Sequence, residues 1–432
     1  MMMFPEVKRK IRSTLRILRF VVLLIVALFL LGGSIVPPRG LSSQVRAETR
    51  PIEFAFGTWT LDAVARKLSN WSLSFHRFIS PNEQRELVLA YLDQVQCVQA
   101  LNLELLLIFT DPTINNPEEA SLILQEDLAQ AEERLSELAP AAESVLQSQL
   151  MTAVRDTGLG LLGQVFPPSL YQTSDPPHSL VVSPRDEIRQ ALDISLSPAL
   201  NADEMEDLET FVLDELDHSA LVVPVGGIGT YPTMVMQTAD LVWLTEVIAH
   251  EWVHNYLTLR PLGMNYYTNS ELRTINETTA SLAGKELGLM ILEKYYPEFV
   301  PVEVESSENH ASGVGVEAEL DPPAFDFRGE MRMTRVEVDR LLAMGEVEEA
   351  EAYMEARREF FWENGYSIRK LNQAYFAFYG AYNDVPGGGA AGEDPVGPAV
   401  VTYRSQFESL ADFLKAISWV DSFDELLGLL EN

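Results

Sequence analysis

Apolar residues recur at helical spacing through most of the chain. The segment NEQRELVLAYLDQVQCVQALNLELLLIF and the later EEASLILQEDLAQAEERLSEL follow this period, so they predict the two arms of a helical hairpin. The single cysteine, Cys97, lies in the first arm and is expected to be a small buried residue. The same period predicts further helices in five segments, at 201–217, about 240–260, 270–296, 333–384 and 405–430.

The middle of the chain breaks this helical pattern with β-branched residues. HSLVVSPRD predicts a short strand at Leu180 to Val182, and SALVVPVGGIGTYPTMV predicts a twisted or edge strand interrupted by glycine and proline. Its segment Gly226–Gly229 could hydrogen-bond an extended peptide by strand addition. Strands among many helices predict an α+β fold that is mainly α, and no repeat of fixed period occurs.

The first 50 residues predict a membrane segment. Basic residues at 8–19 precede an uncharged, mostly apolar run at 20–36, which as a helix would span about 25 Å of the roughly 30 Å hydrocarbon core. The preceding positive charges favour a cytoplasmic N-terminus. The apolar run is long for a signal peptide, which favours an uncleaved single-pass anchor. A signal peptide cleaved near Val-Arg-Ala at 45–47 is the alternative, and both interpretations export the rest of the chain.

Charge changes the range of expected partners. The chain has 31 basic and 64 acidic residues, and residues 1–50 alone contain nine basic and two acidic ones. The remainder therefore has 22 basic and 62 acidic residues, which repel nucleic acid and anionic lipid. A nucleic-acid partner is excluded on this ground, and the pattern predicts no particular oligomeric state.

The segment HEWVHNYL contains the strongest chemical signal. Residues at i and i+4 of a helix share one face, so His250 and His254 can offer two imidazole nitrogens to one metal ion. Glu251 is turned by about 100° from His250 and can flank the ion without binding it. Such a motif arises by chance in roughly 1 in 100 chains of this composition, but apolar neighbours on both sides predict semi-buried imidazoles that need partners.

A catalytic zinc site requires a third protein ligand and an open fourth position. A further histidine six residues after His254 would define one subclass, but Arg260 stands there. Glu277, in NETTASLAGKELG, is the better candidate because its helix can fold back along the motif helix. The small residues Ala280, Ala283 and Gly284 would permit close packing of the two helices.

Together, His250-Glu251-xx-His254 and Asn276-Glu277 resemble the gluzincin group of zinc metallopeptidases. The chain also resembles a bacterial aminopeptidase family with such a site, over roughly residues 180–430 and strongly only at these motifs and at LNQAYFAFYGAYND. The resemblance implies that the two histidines and Glu277 bind Zn²⁺ and that Glu251 is the general base. The chain departs from the group at Ser281, where many gluzincins have an aspartate that supports a histidine ligand.

The resemblance implies a peptide or protein substrate and a zincin-like catalytic core. Zinc would lower the pKa of its water, Glu251 would take the proton, and a tyrosine would stabilise the oxyanion. Tyr375, Tyr379 and Tyr382 are candidates for that tyrosine, and the resemblance favours Tyr382. The core that the resemblance implies is a small sheet with the motif helix and the ligand helix, and helical lobes flank it.

These expectations divide the chain into five segments. They are a basic tail with a membrane anchor or signal segment (1–50), an N-terminal helical lobe (51–177), a zincin-like metal-binding core (178–297), an acidic mobile loop (298–330) and a C-terminal helical part completing the cleft (331–432). The expected protein is a membrane-anchored, extracytoplasmic bacterial metallopeptidase, with aminopeptidase and endopeptidase action both open. A non-catalytic metal-binding scaffold that holds a partner is the alternative, although such a scaffold has no need of Glu251 as a base.

Overall fold

The computed structural model describes the chain in several ranges, and the structural statements below concern these ranges alone. They are residues 19, 22–23, 40–73, 77–111, 113–160, 164–301, 325–382 and 389–431. The chain divides into a unit at 1–50 and a compact unit at 51–432. The first unit contains helix α1 (Leu41–Thr49). Most of the predicted membrane segment at 20–36 lies outside the described residues.

Four helices begin the larger unit, and two of them form the expected hairpin. They are α2 (Phe56–Leu73), α3 (Pro81–Thr110), α4 (Pro117–Ala120) and α5 (Leu122–Asp156). Helix α3 begins at a capping box, in which Ser80 and Glu83 exchange hydrogen bonds between side chain and backbone. The helical hairpin is confirmed, because α3 and α5 are separated in the chain only by the short α4 and pack against each other.

The expected burial of Cys97 is wrong, because this residue is exposed. The buried positions of α3 are Val88, Tyr91, Leu92, Val95 and Val98, which share one helical face. Position 97 falls outside that spacing. Helix α3 is also the one helix of the described ranges that is long and apolar enough to span a membrane, with 17% of its most apolar window buried.

Six short strands form two sheets in the middle of the chain. They are β1 (Tyr171–Thr173), β2 (His178–Pro184), β3 (Leu192–Leu196), β4 (His218–Pro224), β5 (Gly227–Ile228) and β6 (Thr233–Val235). The antiparallel sheet has the order β3-β2-β4, and the mixed sheet has the order β1-β6-β5. The single interrupted strand expected at SALVVPVGGIGTYPTMV is therefore three strands, which belong to two sheets.

The remaining helices surround these sheets. They are α6 (Ala202–Leu216), α7 (Leu241–Leu257), α8 (Pro261–Met264), α9 (Ser270–Tyr295), α10 (Phe327–Ala343), α11 (Val347–Glu363), α12 (Gln373–Tyr379), α13 (Val396–Ser405), α14 (Leu410–Ile417) and α15 (Phe423–Leu430), with 3₁₀ turns at Pro297–Phe299 and Gly389–Ala391. The loop expected at 298–330 is wrong at its C-terminal end, because α10 already begins at Phe327. Most of that loop, 302–324, lies outside the described residues.

A mainly helical chain with two small sheets confirms the predicted α+β class. One apolar core contains residues of α3, α5, α7, α9 and the C-terminal helices α13 to α15. Strand β1, from the segment predicted as the N-terminal lobe, pairs with β6 beside α7. The helical hairpin and the two central helices therefore belong to one packed body, which holds α7 and α9 in place.

Candidate metal centre

Helix α7 presents the two histidines of the motif. The side chain of Asp240 accepts a hydrogen bond from the backbone N–H of Trp243 and caps the helix start. Leu244, Ile248 and Trp252 are among the residues that bury the opposite side of the helix in the core. The helix therefore has a fixed rotation, and its histidine face points toward α9.

Helix α9 lies close against α7 because small residues line the contact. A Cβ atom added at Gly284 would lie 3.0 Å from both the Glu246 carbonyl oxygen and His250 Cβ. At Gly288 an added Cβ would lie 3.1 Å from Glu246 Cα. Glycine at these two positions lets the backbones approach, and this approach brings the carboxylate of Glu277 to the histidines.

The ligand atoms of His250, His254 and Glu277 form a small triangle. The two Nε2 atoms are 3.1 Å apart, and Glu277 Oε2 lies 3.4 Å from His250 Nε2 and 3.5 Å from His254 Nε2. A tetrahedral zinc ion with bonds of about 2.0–2.1 Å separates its ligand atoms by about 3.3–3.4 Å. The side lengths of the triangle therefore fit one face of such a coordination tetrahedron.

The polar atoms of this triangle also require a cation. Glu277 is 3% exposed, and its Oε2 atom has no hydrogen-bond partner within the described ranges. Two facing imidazole nitrogens and a buried carboxylate oxygen are stable together only around a proton or a metal ion. The three residues form the one group of potential metal ligands found among the described residues.

Neighbouring side chains orient both imidazoles. His254 donates from Nδ1 to Asn276 Oδ1 at 2.8 Å, and Asn276 in turn donates from Nδ2 to the Leu262 carbonyl oxygen at 3.3 Å. This pair of bonds fixes the tautomer that leaves the Nε2 lone pair of His254 free for a ligand. Ser281 Oγ lies 3.5 Å from His250 Nδ1, so it provides a weaker contact where the gluzincin pattern expects an aspartate.

The charges of His254 and Glu277 shift each other's pKa. Burial lowers the pKa of His254, but the adjacent Glu277 carboxylate outweighs burial and raises this pKa to about 9. Burial acts upward on the pKa of Glu277, while the charges of His254 and His250 hold it well below its usual range. The raised pKa keeps His254 protonated at neutral pH, and its positive charge then balances the Glu277 carboxylate.

Glu251 lies beside the triangle and against strand β5. It is 6% exposed, and burial raises the pKa of its carboxyl group despite the opposing charges of His254 and His250. A Cβ added at Gly227 would lie 2.7 Å from Glu251 Oε1, and one at Gly229 would lie 2.8 Å from His254 Cβ. The glycines of the β5 region are thus needed for the close approach of strand and helix.

The three candidate tyrosines lie at different places. The ring of Tyr382 stacks near that of His250, with centroids 6.4 Å apart. The residue is 39% exposed, yet burial around its hydroxyl raises its pKa well above the usual value. Tyr375 and Tyr379 both lie on α12 with ring centroids 4.5 Å apart, and no described contact brings them to the triangle.

Two residues beside the centre were missed by sequence reasoning. Tyr266, in the loop before α9, donates a hydrogen bond from its hydroxyl to Glu277 Oε1. Arg273, one turn before Glu277, is 5% exposed and donates to the Ala377 carbonyl oxygen at 2.8 Å, which ties α9 to α12. The sequence offers no signal for Tyr266, whereas Arg273 could have been found as the charge one helical turn from the ligand.

Comparisons with known proteins identify no relative. No family model, no curated protein and no solved structure matches the chain. The functional interpretation therefore rests on the residues and geometry of the centre.

Proposed function

We propose that the chain is a zinc-dependent peptidase of the gluzincin kind, anchored to a bacterial membrane with its body outside the cytoplasm. The observation that carries this proposal is the triangle of His250 Nε2, His254 Nε2 and Glu277 Oε2, with sides of 3.1, 3.4 and 3.5 Å. Its size suits zinc, and a buried carboxylate with a raised pKa lies beside it. A purely structural site would need no such neighbour.

The residues around the centre have separable roles. A bound zinc ion would act as a Lewis acid toward the substrate carbonyl and toward water. Glu251 would accept the proton of the attacking water and pass it to the leaving amine, and a raised pKa brings this carboxylate closer to the range of an efficient general base. Tyr382 would donate from its hydroxyl to the developing oxyanion, since its ring lies beside His250.

Strand β5 provides a place for the substrate backbone. It pairs with β6 along one edge, and no strand of the described ranges pairs with its other edge. An extended peptide added along that edge would pass the carboxylate of Glu251, which contacts Gly227. This edge therefore supports a peptide as the substrate.

Aminopeptidase action further requires an acidic group for the free amine of the substrate, and Asp193 is the best placed. Asp193 pairs with Val181 across the sheet. Val181 packs against Phe378, whose ring lies 5.6 Å from that of Tyr382. Burial raises the pKa of Asp193, and the charge of Glu277 acts in the same direction, so the two carboxylates interact.

The function is tested by measuring bound zinc and peptide hydrolysis in the wild-type chain and in Glu251→Gln. The variant is expected to keep one zinc ion and to lose hydrolysis by about 10²–10⁴-fold, because it removes the general base alone. Equal hydrolysis in both proteins, or none in the zinc-loaded wild type across a mixed peptide library, would contradict the enzyme proposal.

The same peptide library addresses aminopeptidase action. Peptides with a free N-terminus are expected to react faster than their acetylated counterparts. Asp193→Asn should reduce this preference by at least about tenfold, because a charged hydrogen bond to the amine is lost. Equal rates on both peptide forms would assign the chain to the endopeptidases.

A non-catalytic partner-binding protein is the second candidate, and one observation favours it. Large apolar side chains are exposed at the end of the helical hairpin, including Leu103, Leu106, Leu107 and Ile123 at 58–77%. Such a patch is typical of an interaction surface. Zinc binding without hydrolysis in both the wild type and Glu251→Gln would favour this candidate.

A further inference from the structure

The two oxygens of Glu277 have different surroundings. Oε1 accepts the hydrogen bond from the Tyr266 hydroxyl. Oε2 faces His250 Nε2 at 3.4 Å and His254 Nε2 at 3.5 Å, and it lacks a hydrogen-bond partner in the described part of the chain. One oxygen is therefore already engaged with protein, and the other alone is directed at the metal-binding position.

Local structure fixes Tyr266 in this role. A Cβ added at Gly263 would lie 2.2 Å from the Leu257 carbonyl oxygen, so a glycine is needed where α8 packs against the end of α7. The Tyr266 backbone N–H then donates to the Gly263 carbonyl oxygen at 3.2 Å. The Tyr266 ring meets His254 edge to face, with centroids 6.1 Å apart. This turn places the Tyr266 hydroxyl next to the Glu277 carboxylate.

The direction of this hydrogen bond follows from the two groups. An ionised carboxylate has no proton to donate, so the Tyr266 hydroxyl is the donor and Glu277 Oε1 is the acceptor. The bond therefore occupies Oε1 with a proton from the protein.

We propose that Tyr266 limits Glu277 to a single ligand oxygen and so selects zinc over ions that demand more ligands. The inference rests on the proposed metal centre. Ca²⁺ takes six to eight oxygen ligands and uses bidentate carboxylates, and Mn²⁺ suits octahedral oxygen sites. When the Tyr266 phenol holds one oxygen of Glu277, the carboxylate adds only one ligand atom to the two histidine nitrogens. Three protein ligands then leave the fourth tetrahedral position open.

The test compares the metal-free full chain with Tyr266→Phe and Tyr267→Phe. The phenylalanine at 266 keeps the ring and its packing but removes the hydroxyl. Tyr267, whose ring lies 4.8 Å from that of Tyr266, is 82% exposed and is the matched control. Affinities for Zn²⁺ and Mn²⁺ and the visible absorption of the Co²⁺ form are measured, together with the melting temperature of each metal-free protein.

In Tyr266→Phe we expect the zinc affinity to fall by about 10–100-fold, which is typical when a hydrogen bond to a ligand is lost. The Mn²⁺ affinity should fall less, so the preference for zinc over manganese should shrink. The Co²⁺ absorption should weaken, because both Glu277 oxygens can then bind and the coordination number rises. Tyr267→Phe should match the wild type in all three readouts.

Unchanged zinc affinity, metal preference and Co²⁺ absorption in Tyr266→Phe would overturn this inference while leaving the metal centre intact. A wild-type chain that binds neither Zn²⁺ nor Co²⁺ would instead overturn the centre itself. The melting temperatures of the metal-free proteins show whether a change arises from the fold, since an effect confined to the metal-loaded forms supports the positioning role.

Discussion

Two buried glutamates in this molecule differ in how their charge is balanced. Glu143 on α5 is 5% exposed, and its oxygens accept hydrogen bonds from Lys67 Nζ and from the Thr173 backbone N–H. Glu277 on α9 is 3% exposed, and its Oε2 atom has no partner within the described ranges. The two carboxylates are similarly buried, but only Glu143 has hydrogen-bond partners for both of its oxygens.

The difference separates a structural charge from a ligand. A buried carboxylate that has its own lysine contributes to the packing of one helix on another. A buried carboxylate with a free oxygen directed at two imidazole nitrogens is costly unless a cation joins it. Glu209 behaves like Glu143, because Arg369, Lys370 and the Val222 backbone N–H surround it.

The largest expected contrast comes from removing each carboxylate. Glu143→Ala should lower the free energy of unfolding by about 3–5 kcal/mol, because it leaves the Lys67 charge buried without its partner. Glu277→Gln should change that of the metal-free protein by less than about 2 kcal/mol, since His254 can then release its proton. Denaturant titration of the metal-free proteins measures both.

Zinc affinity should show the opposite order. Glu277→Gln should weaken zinc binding by more than about 100-fold, because a ligand atom is lost and not merely a hydrogen bond to a ligand. Glu143→Ala should keep the wild-type affinity wherever it is folded. Equal losses of zinc affinity in the two variants would erase the distinction between the two carboxylates.

A smaller effect is expected from the strand that contacts the general base. In Gly227→Ala the new Cβ would lie within 3.0 Å of the Glu251 carboxylate group and would displace the end of this flexible side chain. Peptide hydrolysis should fall by about 10–100-fold, because a misplaced base loses proton-transfer efficiency. Zinc content and melting temperature should stay close to the wild type.

Gly57→Ala is the matched control for this substitution. Nothing lies within 4 Å of a Cβ at position 57, which is inside helix α2. Alanine there should leave hydrolysis unchanged and stabilise the protein by roughly 0.5–1 kcal/mol. Full activity in Gly227→Ala would show that the contact between β5 and Glu251 has no catalytic importance.

The histidine contacts predict a graded effect on zinc affinity. Asn276→Ala should weaken zinc binding by about tenfold, because the 2.8 Å bond that orients His254 is lost. Ser281→Ala should have an effect of about twofold or less, since its distance to His250 Nδ1 is 3.5 Å. The reverse order in competition with a chelator would argue against the assigned orientation of His254.

The smallest expected effect is the release of a proton when zinc binds. The folded-state pKa of His254 is raised to about 9 from the usual histidine value of about 6.5, so its protonated form stabilises the metal-free fold fully below about pH 6.5. This contribution disappears as pH rises through about 9. Zinc binding near pH 7 should therefore release about one proton from His254, and fewer as pH approaches 9. Calorimetry in buffers of different ionisation enthalpy measures the number, and no release at pH 7 would contradict it.

Periodicity predicted the elements that carry the centre. Helical spacing identified α7 and the face shared by His250 and His254. Small residues in α9 indicated its close approach to α7, and Gly284 indeed lies at that contact. These features are local, so a sequence reports them through spacing and residue size.

The missed features depend on how distant segments meet. Tyr266 reaches Glu277 because the chain turns near Gly263, and the helical period of the sequence does not predict the course of such a loop. Cys97 was misassigned because an apolar neighbourhood does not say which side of α3 faces α5. The strand pattern likewise gave no sign that β4 and β6 belong to different sheets.

Anomalous X-ray scattering at the zinc edge, from crystals of the full chain grown with zinc, tests the central claim most directly. The account predicts one anomalous peak within about 2.0–2.2 Å of Nε2 of His250, Nε2 of His254 and Oε2 of Glu277. A zinc-saturated crystal with no peak between these three atoms would contradict it.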